Sequence, residues 1–147
     1  MKVLDIKIIN PDTKAPVSLE DWKKESDPTR AEWILIETDE LKPFLLHKKL
    51  ADGGRSFSFD EALKAGNTLT RAQGLALYEA KYTANINDIL DLIEGDRIRG
   101  WVWTCEEDSD PQYGAAYAWF VGLVNGYVLD NAKTIGYQVR LVSAFNS

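Results

Sequence analysis

The chain has 147 residues, 45% hydrophobic and 27% charged, with a formal net charge of −6. That is enough apolar material for one ordinary globular core. Its acidic balance, with Lys and Arg scattered and Lys23-Lys24 and Lys48-Lys49 the densest pairs, speaks against nucleic acid and anionic membrane surfaces as partners.

Cys105 is the only cysteine, so no intrachain disulfide can form. The first residues, Met1 to Lys7, carry charges inside their apolar run, unlike a signal peptide. No apolar run approaches the roughly 20 residues of a membrane span. The expectation is a cytoplasmic, virion-associated or non-classically displayed protein without membrane insertion.

Val3 to Ile9 is β-branched and partly alternating, and predicts a strand ended by Asn10-Pro11-Asp12. Ser18 is placed to cap a short helix through Glu25, anchored by Trp22 and broken at Asp27-Pro28. Ala31 to Glu37 and Lys42 to His47 predict a hairpin. Ser58-Phe59-Asp60-Glu61 and Thr70-Arg71-Ala72-Gln73 are capping boxes. The first predicts a helix ending near Gly66. The second predicts one running to about Lys81 that buries Ala72, Leu75, Ala76 and Tyr78.

Asn85 is a candidate cap for a third helix, in which Ile86, Ile89, Leu90 and Ile93 form one apolar stripe before Gly95. From Trp101 onward β-formers dominate, in Trp101 to Trp103, Tyr117 to Val124, Tyr127 to Leu129 and Tyr137 to Ser143. Asn125-Gly126 is the strongest hairpin signal. Strands at both ends with helices between predict an α+β fold. We read one domain over 1–147: strands and a short helix in 1–50, helices in 58–95, and a binding subregion in 100–145.

Catalytic patterns are weak. His47, the only histidine, sits in a strand context and reads as a half-buried strand residue. Cys105 precedes Glu106-Glu107, whose charges disfavour a thiolate, and reads as a small core or strand residue. One His and one Cys leave no zinc set. The acidic run Glu106-Glu107-Asp108-Ser109-Asp110 lacks the EF-hand spacing and reads as a solvated loop. No metal site, cofactor or catalytic residue is assigned. An enzyme with an acidic site at Glu106, Glu107, Asp108 and Asp110 ranks last.

What remains is a surface. With period two, Trp119, Val121 and Leu123 face the core. Phe120, Gly122 and Val124 then face out, joined beyond the turn by Tyr127 and Leu129. Tyr113, Tyr117 and Ile135 extend this set. Exposed apolar groups mark interaction sites, although spacing alone leaves open a second layer covering this face.

The residues Trp103-Thr104, Ala118-Trp119, Asn125-Gly126, Lys133-Thr134, Tyr137, Val139-Arg140, Val142 and Ala144-Phe145 resemble a bacterial and phage pattern. It is typical of the C-terminal domain family of collagen-like bacterial adhesins. Similar segments occur in variable proteins of diversity-generating retroelements and in phage or prophage proteins of gut bacteria. Leu69 to Glu79 resembles a second segment of such relatives, with Leu69 where they often have proline.

The resemblance implies a C-type-lectin-like fold with the terminal strands paired, central helices, and a last third that presents ligand. By alignment the variable positions are Phe120, Gly122, Val124, Tyr127, Leu129, Asp130, Asn131, Ala132, Ile135, Gly136 and Gln138. Trp101, Trp103, Trp119, Val121, Leu123, Val128, Val139 and Val142 would be scaffold, with Lys133 and Arg140 structural. Cys105 and Leu123 depart from the pattern, and no calcium-lectin motif is present.

The expectation is a non-enzymatic, adhesin-like ligand-binding module. Tyr113, Phe120, Gly122, Val124, Tyr127, Leu129, Ile135 and Gln138 would contact a protein or glycan on a cell or virion surface. Homo-oligomerisation is compatible with this. The alternative is a structural tail or assembly subunit using the same face as an oligomer interface.

Overall fold

The computed structural model describes residues 1–112 and 115–146. Tyr113, an expected contact residue, lies outside the described residues.

The chain begins with β1 (Val3–Ile9) and β2 (Pro16–Val17), then α1 (Leu19–Trp22). The hydroxyl of Ser18 accepts the Asp21 N–H, and Trp22 is fully buried with its Nε1 donating to the Pro28 carbonyl at 2.9 Å. β3 (Trp33–Thr38) and β4 (Phe44–Leu50) form the expected hairpin. α2 (Phe59–Ala65) and α3 (Arg71–Thr83) open on Ser58 and Thr70, and in both boxes the two reciprocal hydrogen bonds are made. α4 (Ile86–Leu92) buries Ile86, Ile89 and Leu90, with Ile93 just past its end. β5 (Trp101–Glu107), β6 (Tyr117–Gly122), β7 (Val128–Ala132) and β8 (Arg140–Ala144) complete the chain. Helices beside antiparallel sheets make the fold α+β.

Among the described residues two sheets form, with orders β2-β1-β3-β4-β8 and β5-β6-β7. The terminal strands β1 and β8 share the first sheet but do not pair; β3 and β4 lie between them. The expected pairing of the chain ends is therefore corrected. The long apolar β3 and β4 hairpin takes the central positions, as suits strands with near-continuous Ile and Leu.

The main core joins the inner face of the first sheet (Ile6, Ile8, Ile34, Ile36, Leu46) to α3, α4 and one face of the second sheet (Val102, Val121, Leu123). α3 buries Gly74, Ala76, Leu77 and Ala80, whereas Leu75 is among the exposed large hydrophobics. The expected face is thus rotated: Leu77 is core, and Ala72, Leu75 and Tyr78 are not. Contact with β6 sets the rotation, because a Cβ on Gly74 would come within 2.8 Å of Val121 Cγ2.

Two local corrections have clear causes. Asn85 is left-handed (φ 51°) and its side chain caps nothing. Past α4 the left-handed residue is Glu94 (φ 58°), while Gly95 is needed for close approach, since a Cβ there would lie 2.9 Å from the Lys48 carbonyl oxygen.

Arg140 is the largest buried charge. β4 and β8 fall out of register between Leu46 and Leu50, which leaves strand carbonyls without ladder partners. The Arg140 guanidinium donates to the carbonyls of Asp96, Arg97, His47 and Lys48 at 2.9–3.4 Å. Burial pushes its pKa down to about 10, against the opposing charge of Asp96. The expected structural role fits this geometry, and of the two partners open to it, carbonyls or a carboxylate, the guanidinium takes carbonyls.

Candidate functional site

The second sheet has one face in the main core and one face built of aromatics. In register, Trp103 stands opposite Phe120, Trp101 opposite Gly122, and Phe120 opposite Leu129. Cross-strand partners share a face, so Trp101, Trp103, Phe120 and Leu129 form one surface. Val102, Val121 and Val128 form the other.

This surface has two unlike ends. At the Trp103 end it is covered. Phe57, Phe59 and Ala62 from the α2 region pack on Trp103, Ala118, Phe120 and Val139 as a second hydrophobic cluster. Trp103 Nε1 donates to the Phe57 carbonyl at 2.7 Å. Tyr137 stacks on Phe120 at 4.2 Å and 22°, and meets Trp103 edge-on at 4.8 Å. The Tyr137 hydroxyl accepts the Asn131 side-chain N–H at 2.9 Å. Phe120 is consequently 5% exposed, and its expected outward exposure is corrected: a second layer does cover it.

Past that cover, in the Trp101–Gly122 row and along β7, the surface is open. Trp101 is 42%, Leu129 47% and Tyr127 59% exposed; Val124, 61% exposed, lies beyond β6 in the turn tied to α3. Trp101 meets Phe120 edge-on at 5.6 Å, so the open end rests on the covered one.

Gly122 is buried beneath it; a Cβ there would lie 2.8 Å from the Trp101 ring and 2.5 Å from the Asn125 Oδ1. Its correct role is therefore to admit those two side chains rather than to face outward. The turn spans Leu123 to Gly126, with the Gly126 N–H donating to the Gly122 carbonyl and φ 76° at Gly126. It is longer than the two-residue hairpin the Asn125-Gly126 pair predicts. Lys81 of α3 ties it down by donating to the Leu123 carbonyl at 2.6 Å.

The remaining expected residues diverge. Ile135 is 41% exposed in the turn after β7. Gln138 is half-buried and donates to the Gly54 carbonyl at 2.9 Å, which makes it a brace between loops. Trp119, expected in the core, is half-buried under the Arg71 guanidinium, 4.7 Å from its ring. Trp101, expected as scaffold, belongs to the open end. Its pairing with Gly122 is the signal that places it there. Lys133 pairs with Glu107 at 3.2 Å and lies over the Phe59 ring, which fits its structural assignment.

The acidic segment is tied into the fold. Glu106 accepts the Arg71 backbone N–H and pairs with its side chain. Asp108 is buried rather than solvated, and its Oδ1 accepts the Asp110 N–H at 2.8 Å. Asp108 also shares a hydrogen bond with Asp130 of β7; that contact, then burial, raises the Asp130 carboxyl above its ordinary value, while Asp108 is lowered. No cluster of three or more His, Cys, Asp or Glu that could hold a metal occurs among the described residues.

Cys105 is exposed on β5, not in the core, and its thiol is pushed up by burial of the sulfur and by Glu106. His47, half-buried on β4, meets Trp33 edge-on at 4.9 Å. It lies on the other sheet from Cys105 and the acidic segment.

No family model matches the chain, and no curated protein matches its sequence. No described helix is long and apolar enough to cross a membrane.

Proposed function

We propose that this chain is a non-enzymatic ligand-binding module with a C-type-lectin-like fold. It would be akin to the C-terminal domains of collagen-like adhesins and to the retroelement-diversified or phage-borne proteins of gut bacteria. Its contact surface is the open aromatic end of the second sheet. The ligand is a protein or glycan on a cell or virion surface.

One observation carries the reading. Trp101, Tyr127 and Leu129 are exposed together on a platform held by Gly122, Lys81 and the Phe120–Tyr137 stack. Large apolar side chains at a rigid, exposed position suit recognition, where ordering costs are already met. The lectin-like assignment draws support from β1 and β8 sharing one sheet, from the central helices, and from a second antiparallel sheet formed by the last third.

Arrays of glycans and of bacterial surface proteins, probed with the wild-type chain and with a Tyr127→Ser, Leu129→Ser double variant, test it. A ligand bound by the first and lost by the second supports the reading. Undiminished binding by the variant refutes the assigned surface. Sedimentation with and without calcium tests the competing assembly role: a tight oligomer abolished by the double variant would make the same surface a subunit interface.

A further inference from the structure

Resting on that reading, we infer that the module captures an extended peptide segment that adds as a strand to the open edge of β7, with apolar and basic side chains alternating. β7 pairs only with β6 among the described strands. The Gly122 N–H donates to the Tyr127 carbonyl and the Lys133 N–H to the Ala116 carbonyl. Antiparallel ladders alternate, so residues 127, 129, 131 and 133 bond inward, and 128, 130 and 132 point their backbone groups to the free edge. Ala132 is already engaged: its N–H donates to the Asn131 Oδ1 at 2.8 Å and its carbonyl accepts the Ile135 N–H. Val128 and the Asp130 carbonyl remain as the edge available to another strand, while the Asp130 N–H faces its own carboxyl.

The side chains beside that edge specify the occupant. On the aromatic side stand Tyr127 and Leu129, which call for apolar partners at alternate positions. On the opposite side stands Asp130, crowded by Asp108 and with Asp110 nearby. Of the neighbouring cations, Arg71 pairs with Glu106 and acts also on Asp108, and Lys133 pairs with Glu107. A lysine or arginine at the intervening position would bring a positive charge to Asp130.

A sugar is a poorer fit, because each of the amides around the surface already makes a hydrogen bond within the chain. The Asn125 Oδ1 accepts the Tyr127 N–H, Asn131 serves Tyr137 and Ala132, and Gln138 serves Gly54.

The probe is a short synthetic peptide alternating valine and lysine, with two controls: one N-methylated at alternate residues and one carrying glutamate for lysine. Backbone amide shifts report the site. The expected result is binding that perturbs Val128 and Asp130, weakened about tenfold or more by either control. Val128→Pro removes the outward N–H, which an edge strand tolerates, and trims a side chain packed against the main core; it should stay folded with some loss of stability and lose the peptide. If it fails to fold, the N-methylated peptide decides alone.

Equal binding of the N-methylated and parent peptides, still abolished by Leu129→Ser, would overturn strand addition while leaving the surface assignment intact. Absence of any peptide binding, with glycans moving Trp101 and Tyr127 instead, would also overturn it. So would a self-associated chain made monomeric by Val128→Pro, which would indicate edge pairing between copies.

Discussion

The two ends of the aromatic surface share a sheet, a face and a residue type, yet one is core and the other is open. Phe120 and Leu129 stand opposite each other on β6 and β7, but their exposures are 5% and 47%. The difference lies in what arrives from elsewhere in the chain. Phe57, Phe59 and Tyr137 converge on Trp103 and Phe120, while Leu129 keeps nearly half its surface in solvent. Alternation along a strand assigns a side chain to a face; only the remote cover decides whether that face is buried.

Removing the cover's centre should have the largest effect. Trp103→Ala deletes a fully buried ring and its bond to Phe57, and should cost about 3–5 kcal/mol, read by urea denaturation. Next is Arg140→Met, which leaves buried carbonyls from β4 and the segment after α4 without a donor; a loss of about 3 kcal/mol or more is expected. Sharpening the contrast with the opposite face, Gly74→Ala should destabilise by about 1 kcal/mol despite alanine's better helix propensity, because its Cβ meets Val121. At the open end, Trp101→Ala should cost only about 1 kcal/mol.

A smaller effect comes from pH. Burial lowers the pKa of His47 below 6.5, so the unfolded chain binds the proton more readily. Its stabilising share is present above pH 6.5 and is lost as pH falls through the lowered folded value. Thermal midpoints across that range should show a slope that His47→Gln flattens.

Local signals were the legible ones. Both capping boxes, the Ile86–Ile93 stripe and the β3–β4 hairpin rest on neighbours in sequence, and all are formed. The α3 face was not legible. Its Ala and Gly residues carry little hydrophobic contrast, and Gly74 looks like a helix weakness until Val121 is seen against it. The candidate surface was half legible. Val124, Tyr127, Leu129 and Ile135 are exposed as alternation and the resemblance suggest, while Phe120, Gly122 and Gln138 are claimed by Tyr137, Trp101 and Gly54 respectively. The place of Trp101 is not legible in its own segment, because only the β5–β6 register puts it opposite a glycine at the open end.

The most direct test compares urea unfolding of Phe120→Ser with that of the Tyr127→Ser, Leu129→Ser double variant. A divided surface predicts a loss of about 3 kcal/mol or more for the first. For the second, although it removes two large side chains, it predicts about 1 kcal/mol or less. Comparable losses in the two proteins, or a stable Phe120→Ser chain, would contradict the division into a covered and an open end.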